Sequence, residues 1–129
     1  MSLKPKQHSA AFEALVNDAK AHVKHIGLDE YKALAAKGEA GVLIDVREES
    51  EWAAGHADGA IHLGKGIIER DIEHTVEDKG QRLVLYCGGG YRSALSAEAL
   101  QKMGYKDVIS LDGGWRAWNE GGMPVAKGQ

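Results

Sequence analysis

This chain has very little cysteine: Cys87 is the single one among 129 residues. An internal disulfide is therefore excluded, and no oxidised framework holds the fold. No apolar stretch approaches the length that crosses a bilayer, so the sequence predicts no membrane partner. The first residues, Met1 to His8, lead into no apolar core of a signal peptide. Excess positive charge is also missing. Lys and Arg number 16 against 19 Asp and Glu, a net charge of −3, and no basic block or stripe occurs. That argues against nucleic acid or an anionic membrane surface as the main partner. There is no internal repeat and no low-complexity segment. These absences make the cytoplasm the expected location, where a reducing medium keeps a lone thiol free.

What remains is enough for one hydrophobic core and too little for two ordinary domains. Phe12, Leu15, Val16, Ala19 and Val23 recur at helical spacing behind Ser9, a good N-cap. They predict an N-terminal helical extension over residues 1–23, packed on the domain or offered to a partner. Lys24 to Gly27 suits an edge strand. Asp29 is expected to cap a helix that stops at Lys37-Gly38. Val42 to Val46 is a strong strand, and Glu48 to Ala54 a short helix. Gly55 to Gly59 reads as a loop, and Ala60 to Leu63 as a short strand. Ile67, Ile68 and Ile72 line one side of a helix. Leu83 to Tyr86 and Asp107 to Leu111 are two further strands, each followed by a helix. Strands alternating with helices predict a parallel α/β sheet covered on both faces. From Gly121 onward little can be buried, and residues 126–129 are expected to form a flexible tail.

The stretch Cys87-Gly88-Gly89-Gly90-Tyr91-Arg92-Ser93 joins the strand at Leu83 to the helix that ends at Gly104. Ligands in open α/β sheets bind there, outside the carboxyl ends of the strands. Consecutive glycines let the backbone curl and turn N–H groups inward as an anion cradle. The helix N-terminus adds partial positive charge and Arg92 a full one. Such surroundings favour thiolate, the nucleophilic form of Cys87. A cation at a helix N-terminus opposes the dipole, so Arg92 is expected to meet an anion. The G-x-G-x-x-G spacing of a dinucleotide site is absent.

These residues resemble the rhodanese (sulfurtransferase) family in its single-domain form. Three motifs carry the likeness: Leu43-Ile44-Asp45-Val46-Arg47-Glu48 with Glu51-Trp52 and Gly55-His56; the loop Cys87 to Ser93; and Leu111-Asp112-Gly113-Gly114-Trp115. Their order covers roughly residues 24–125 and leaves the N-terminal helix outside. Trp52 stands where the family usually has Tyr or Phe, and the loop carries no charged residue before Arg92. The resemblance implies a single α/β domain with a mostly parallel five-stranded sheet and helices on both faces. It implies that Cys87 accepts a sulfane sulfur from thiosulfate or another persulfide. The resulting persulfide then passes its outer sulfur to cyanide or a thiol, with no cofactor beyond that covalent intermediate. Small sulfur donors and acceptors are the expected partners, a protein donor or acceptor is a further one, and the chain is expected as a monomer or homodimer.

Other residues invite weaker assignments. Asp45 and Arg47 are expected to brace the site, although Arg47 and Glu51 are also spaced to pair on a helix. His56 suits a loop histidine bonded to backbone better than a general base. Trp115 and Trp118 are both expected to cover core, with walling of the site as a second role open to Trp115. Tyr91 is expected at the entrance. His22 and His25 lack a completing cysteine or carboxylate cluster, so no metal is expected. One rival is a persulfide carrier or interaction module serving a protein partner, which the intact Cys87 does not separate from an enzyme; the other is a phosphatase or arsenate-reductase-like enzyme, which the resemblance separates by loop length. Four residues lie between Cys87 and Arg92, whereas those enzymes enclose five.

Overall fold

The computed structural model describes residues 8–128. Six helices and seven strands follow in chain order: α1 Ala10–His22, β1 Lys24–Ile26, α2 Leu28–Ala36, β2 Val42–Asp45, α3 Glu49–Ala54, β3 His56–Ala57, β4 Ile61–His62, α4 Ile68–Thr75, β5 Leu83–Tyr86, α5 Tyr91–Lys102, β6 Val108–Leu111, α6 Gly114–Glu120 and β7 Val125–Ala126. Five strands pair in the order β1-β6-β5-β2-β4, all parallel. Every carboxyl end therefore lies on one edge. From β2 the chain runs outward to β4, then returns to the opposite side of β2 as β5. The reversal opens a crevice between the carboxyl ends of β2 and β5, where Asp45 and Cys87 lie.

Side-chain alternation divides the core. Leu83, Leu85 and Cys87 face one side with Ile44, Ile68, Ile72 and Leu100. Val84 and Tyr86 face the other with Tyr31, Leu43, Ile109 and Trp118. Both faces of β5 are fully buried, which accounts for its unbroken apolar run.

Ser9 caps α1 as expected, accepting from the Phe12 N–H at 3.1 Å. The buried stripe of α1 is narrower than its apolar residues suggest: Val16 and Ala19 pack on Ala94 of α5, while Leu15 is 56% exposed. Leu15 falls one position off the line that faces α5. Gly27, not Asp29, is the N-cap of α2, and Asp29 sits in its first turn. The largest departure lies at the carboxyl end. Residues read as loop and tail form a second, antiparallel sheet, with His56 opposite Ala126 and Ala57 opposite Val125. The strand β7 runs across the boundary expected at 125–126. Asp58 N–H donates to Pro124 at 3.0 Å and Gly128 N–H to Ala53 at 3.1 Å, so this end is tied to α3 and its loop. No helix among the described residues is long and apolar enough to cross a membrane.

Candidate active site

Cys87 follows β5 directly and is buried. Its Sγ accepts the Gly90 N–H at 3.1 Å and the Ser93 N–H at 3.4 Å, and lies 3.6 Å from Ser93 Oγ. Gly90 is the N-cap of α5, at φ 102° in the left-handed region. That conformation turns its N–H back toward the sulfur, and only glycine adopts it without strain. The sulfur is thus held on the first turn of a helix, where free N–H groups and the helix dipole favour negative charge. Ser93 Oγ is held in turn by Ser110 Oγ of β6 at 2.7 Å.

The loop is locked from behind. Cys87 O accepts the Trp115 N–H at 2.7 Å, and Gly88 O accepts the Arg116 N–H at 3.2 Å. A side chain at Gly114 would put its Cβ 2.2 Å from Cys87 O, at φ 46°. The Asp-Gly-Gly-Trp turn therefore serves as a close-fitting clamp on the cysteine's own carbonyl.

Arg92 lies beside Gly88, on the second residue of α5. It does meet an anion within the protein: Nη1 donates to Glu51 Oε1 at 2.8 Å and Nη2 to Oε2 at 3.2 Å. Glu51 is also the far half of a capping box, accepting the Glu48 N–H at 3.0 Å. The hydrogen bonds from Arg92 hold the Glu51 carboxyl below its ordinary pKa. Hydrogen bonding to Glu51 raises the Arg92 pKa against burial, and the charge of Cys87 adds to the rise. The pairing open to Arg47 and Glu51 is not made, since Arg47 goes elsewhere.

Arg47 and Asp45 form a buried pair on the face opposite the Cys87 side chain. Asp45 accepts Arg47 Nη2 at 2.8 Å, Arg47 Nε at 3.1 Å, the Arg47 backbone N–H at 2.8 Å and the Tyr86 hydroxyl at 2.6 Å. The Tyr86 hydroxyl oxygen accepts the Ala57 N–H at 3.0 Å. Arg47 Nη2 also donates to Gly55 O at 2.6 Å, and its guanidinium stacks 4.7 Å from the Trp115 ring. Both Asp45 oxygens and the Arg47 Nε and Nη2 groups have partners, the condition under which a buried ion pair is tolerated. Burial, helped by Asp45, pushes the Tyr86 phenol well above its ordinary pKa. Burial opposes the Arg47 charge, and the Asp45 carboxylate overcomes it.

Other expected residues are dispersed. His56 is buried, with Nδ1 2.9 Å from Trp52 O and its ring stacked 3.4 Å from the Trp52 ring, and it does not line the Cys87 cavity. Trp115 packs against the core as expected, with its ring under Arg47; it does not wall the cavity, and it reaches the site through its backbone bond to Cys87. Trp118 fills core as expected. Tyr91 stands at the entrance, which Cys87, Gly88, Gly89, Arg92 and Arg116 also line. Glu51, Tyr86, Ser110 and Arg116 are members that sequence reasoning missed. Their partners lie on other strands and helices, which the local sequence does not reveal. His22 does meet carboxylates, since its ligand atom lies within 4.8 Å of those of Asp18 and Glu98. That exposed group on α1 and α5 shares no residue with the Cys87 cavity.

The profile of the rhodanese-like domain matches residues 27–121. Thiosulfate sulfurtransferase GlpE of Pseudomonas entomophila is 36% identical over 87 residues, covering 67% of this chain and 78% of that protein. Two solved structures are similar over more of the chain. One is a Rhodopseudomonas palustris protein of unknown function, described as a possible tyrosine phosphatase, with TM-score 0.82 and 27% identity over 95% of this chain and 99% of that one. The other is the polysulfide-sulfur transferase homodimer of Wolinella succinogenes, with TM-score 0.77 and 29% identity over 92% of this chain and 88% of that one. With the profile spanning most of the sheet and the whole Cys87 loop, this chain belongs to the rhodanese-like domain family.

Proposed function

We propose that this protein is a sulfurtransferase that carries a sulfane sulfur on Cys87, between thiosulfate or another persulfide donor and a thiol or cyanide acceptor. The observation that carries this reading is the pair of backbone N–H groups, from Gly90 and Ser93, aimed at Sγ. They belong to the loop itself and need no rearrangement to meet negative charge, the arrangement that makes electrostatic stabilisation effective.

In the first half-reaction the Cys87 thiolate attacks the outer sulfur of thiosulfate. The new S–S bond forms as the old one breaks, and sulfite leaves with the electron pair. In the second, cyanide or a thiolate attacks the outer sulfur of the Cys87 persulfide, and the Cys87 thiolate leaves. No net oxidant is required. Arg92 places its charge beside the loop, fixed by Glu51, and serves to attract the anionic donor. Asp45, Arg47 and Trp115 brace the site from behind. The four-residue spacing from Cys87 to Arg92 makes a tight ring, better matched to one sulfur than to a tetrahedral phosphate. A reducing compartment such as the cytoplasm would keep the thiol available.

The test is intact mass of the reduced protein after thiosulfate. Wild type should gain one sulfur atom, lose it to cyanide, and show no gain as Cys87→Ser. Cys87-dependent turnover of an aryl phosphate, with no sulfur gained from any persulfide donor, would sink the proposal.

A further inference from the structure

Three rings gather at the mouth of the Cys87 cavity, and two of them precede the segment that carries the family match. His8 and Phe12 lie 5.1 Å apart, His8 and Tyr91 4.3 Å, and Phe12 and Tyr91 5.8 Å, between ring centroids. Val16 and Ala19, buried against Ala94, fix α1 to α5 and so hold Phe12 in place. Lys20 Nζ lies 5.3 Å from the Tyr91 centroid. The N-terminal helix is therefore part of the cavity wall, more than an appendage that a partner could remove.

The cavity is about 550 Å³, far more than a thiosulfate ion fills. Its chemistry is divided. Cys87 and Arg92 lie with the glycine loop, and the rings of His8, Phe12 and Tyr91 form an aromatic side. Arg92 is engaged by Glu51, whereas exposed Arg116 on the lining has no carboxylate partner among the described residues. Aromatic walls suit an organic body and make favourable contacts with divalent sulfur, and an unpaired guanidinium suits a carboxylate.

We propose that His8, Phe12 and Tyr91, with Arg116, select low-molecular-weight thiols and persulfides that carry carboxylates on an organic body. This rests on sulfur transfer at Cys87. In the loading direction the Cys87 thiolate attacks the outer sulfur of R–S–SH. The donor's S–S bond breaks as Cys87–S–SH forms, and R–S⁻ leaves with the electron pair and takes a proton from water. The unloading direction is the reverse, with the same atoms and no net oxidation. Phe12 and Arg116 set which R is accepted and touch no bond that changes.

The experiment measures sulfur loading of the full chain from three donors: glutathione persulfide, cysteamine persulfide and thiosulfate. Phe12→Ala should raise KM for glutathione persulfide about tenfold, the loss of one good contact, with kcat and thiosulfate loading little changed. Arg116→Glu should weaken glutathione persulfide similarly and improve cationic cysteamine persulfide, a gain that misfolding cannot imitate. Leu15→Ala, on the exposed side of α1, should change nothing. Equal losses for all donors in Phe12→Ala, or an unaltered donor order in Arg116→Glu, would overturn the selection. Wild type that loads from thiosulfate but not from glutathione persulfide would overturn it while leaving sulfur transfer standing. Wild type that loads from no donor would remove both.

Discussion

Glu51 and Arg92, separated by 41 residues of chain, meet through two hydrogen bonds of 2.8 and 3.2 Å. The carboxylate belongs to the helix after β2 and the guanidinium to the helix after β5. One pair thus links the two sides of the crevice and holds the positive charge near Gly88. Glu51→Gln keeps the shape and removes the charge. It should slow sulfur loading about tenfold through a poorly placed Arg92, measured by rapid-quench mass spectrometry.

The same pair fixes a pH dependence. Arg92 lowers the Glu51 pKa below its ordinary 4.5 in the folded protein. A depressed carboxyl pKa contributes stability that is present above the unfolded value and is lost as pH falls through the folded one. Both side chains are about one-third exposed, so the contribution is screened to about 1 kcal/mol or less. Thermal unfolding should separate wild type from Glu51→Gln at pH 7 and bring them together in acid, once the pH has fallen below the folded Glu51 value.

Tyr86→Phe probes the brace without touching the sulfur. It leaves the Ala57 N–H unpaired in a buried site and takes one donor from Asp45. Stability should fall by about 1–3 kcal/mol. The loading rate should stay near wild type, because Tyr86 and Cys87 face opposite sides of the sheet. The raised phenol pKa means that folding holds Tyr86 neutral. That stability is present below the ordinary value of 10.0 and is lost as pH rises through the folded value. The wild type should therefore lose stability in alkali more steeply than Tyr86→Phe.

Arg47→Met should be among the most damaging single changes, at about 3–5 kcal/mol, because it strands the Asp45 carboxylate in a dry core. Adding Asp45→Asn should restore part of that loss. Additive losses in the double variant, by denaturant titration, would show that the two residues act separately.

Gly114→Ala forces a Cβ onto Cys87 O, at a backbone angle that side chains avoid. We expect a loss of about 3 kcal/mol or more, with sulfur loading impaired as the loop shifts. Gly66→Ala, whose added Cβ meets nothing within 4 Å, is the control.

Much of this was legible in the chain. The apolar run before Cys87, the helix after it and the glycine clamp near Trp115 are local signals, and the fold keeps them. The cap at Ser9 and the histidine bond to backbone at His56 likewise follow from neighbours in sequence. What could not be read depends on remote partners. Glu51 is spaced for Arg47, but Asp45 is nearer and better buried, so Arg47 is taken and Glu51 is left for Arg92. Trp115 turns its ring toward Arg47 for the same reason. The strands β3 and β7 have two residues each, too few for any period, and exist only because they find each other. Phe12 falls on the expected apolar stripe, yet nothing in that stripe reveals that its ring lines the Cys87 cavity.

The short ladder between β3 and β7 has a mechanical consequence. A load applied at Gly128 meets its single bond to Ala53 and then two paired residues before it reaches the five-stranded sheet. Such a small antiparallel ribbon should part at low force, as a discrete first step in single-molecule extension. The strand released, β7, is the partner of β3, which directly follows the Gly55 carbonyl that receives Arg47. Tension on that end would therefore reach the brace behind the cysteine well before the domain gives way.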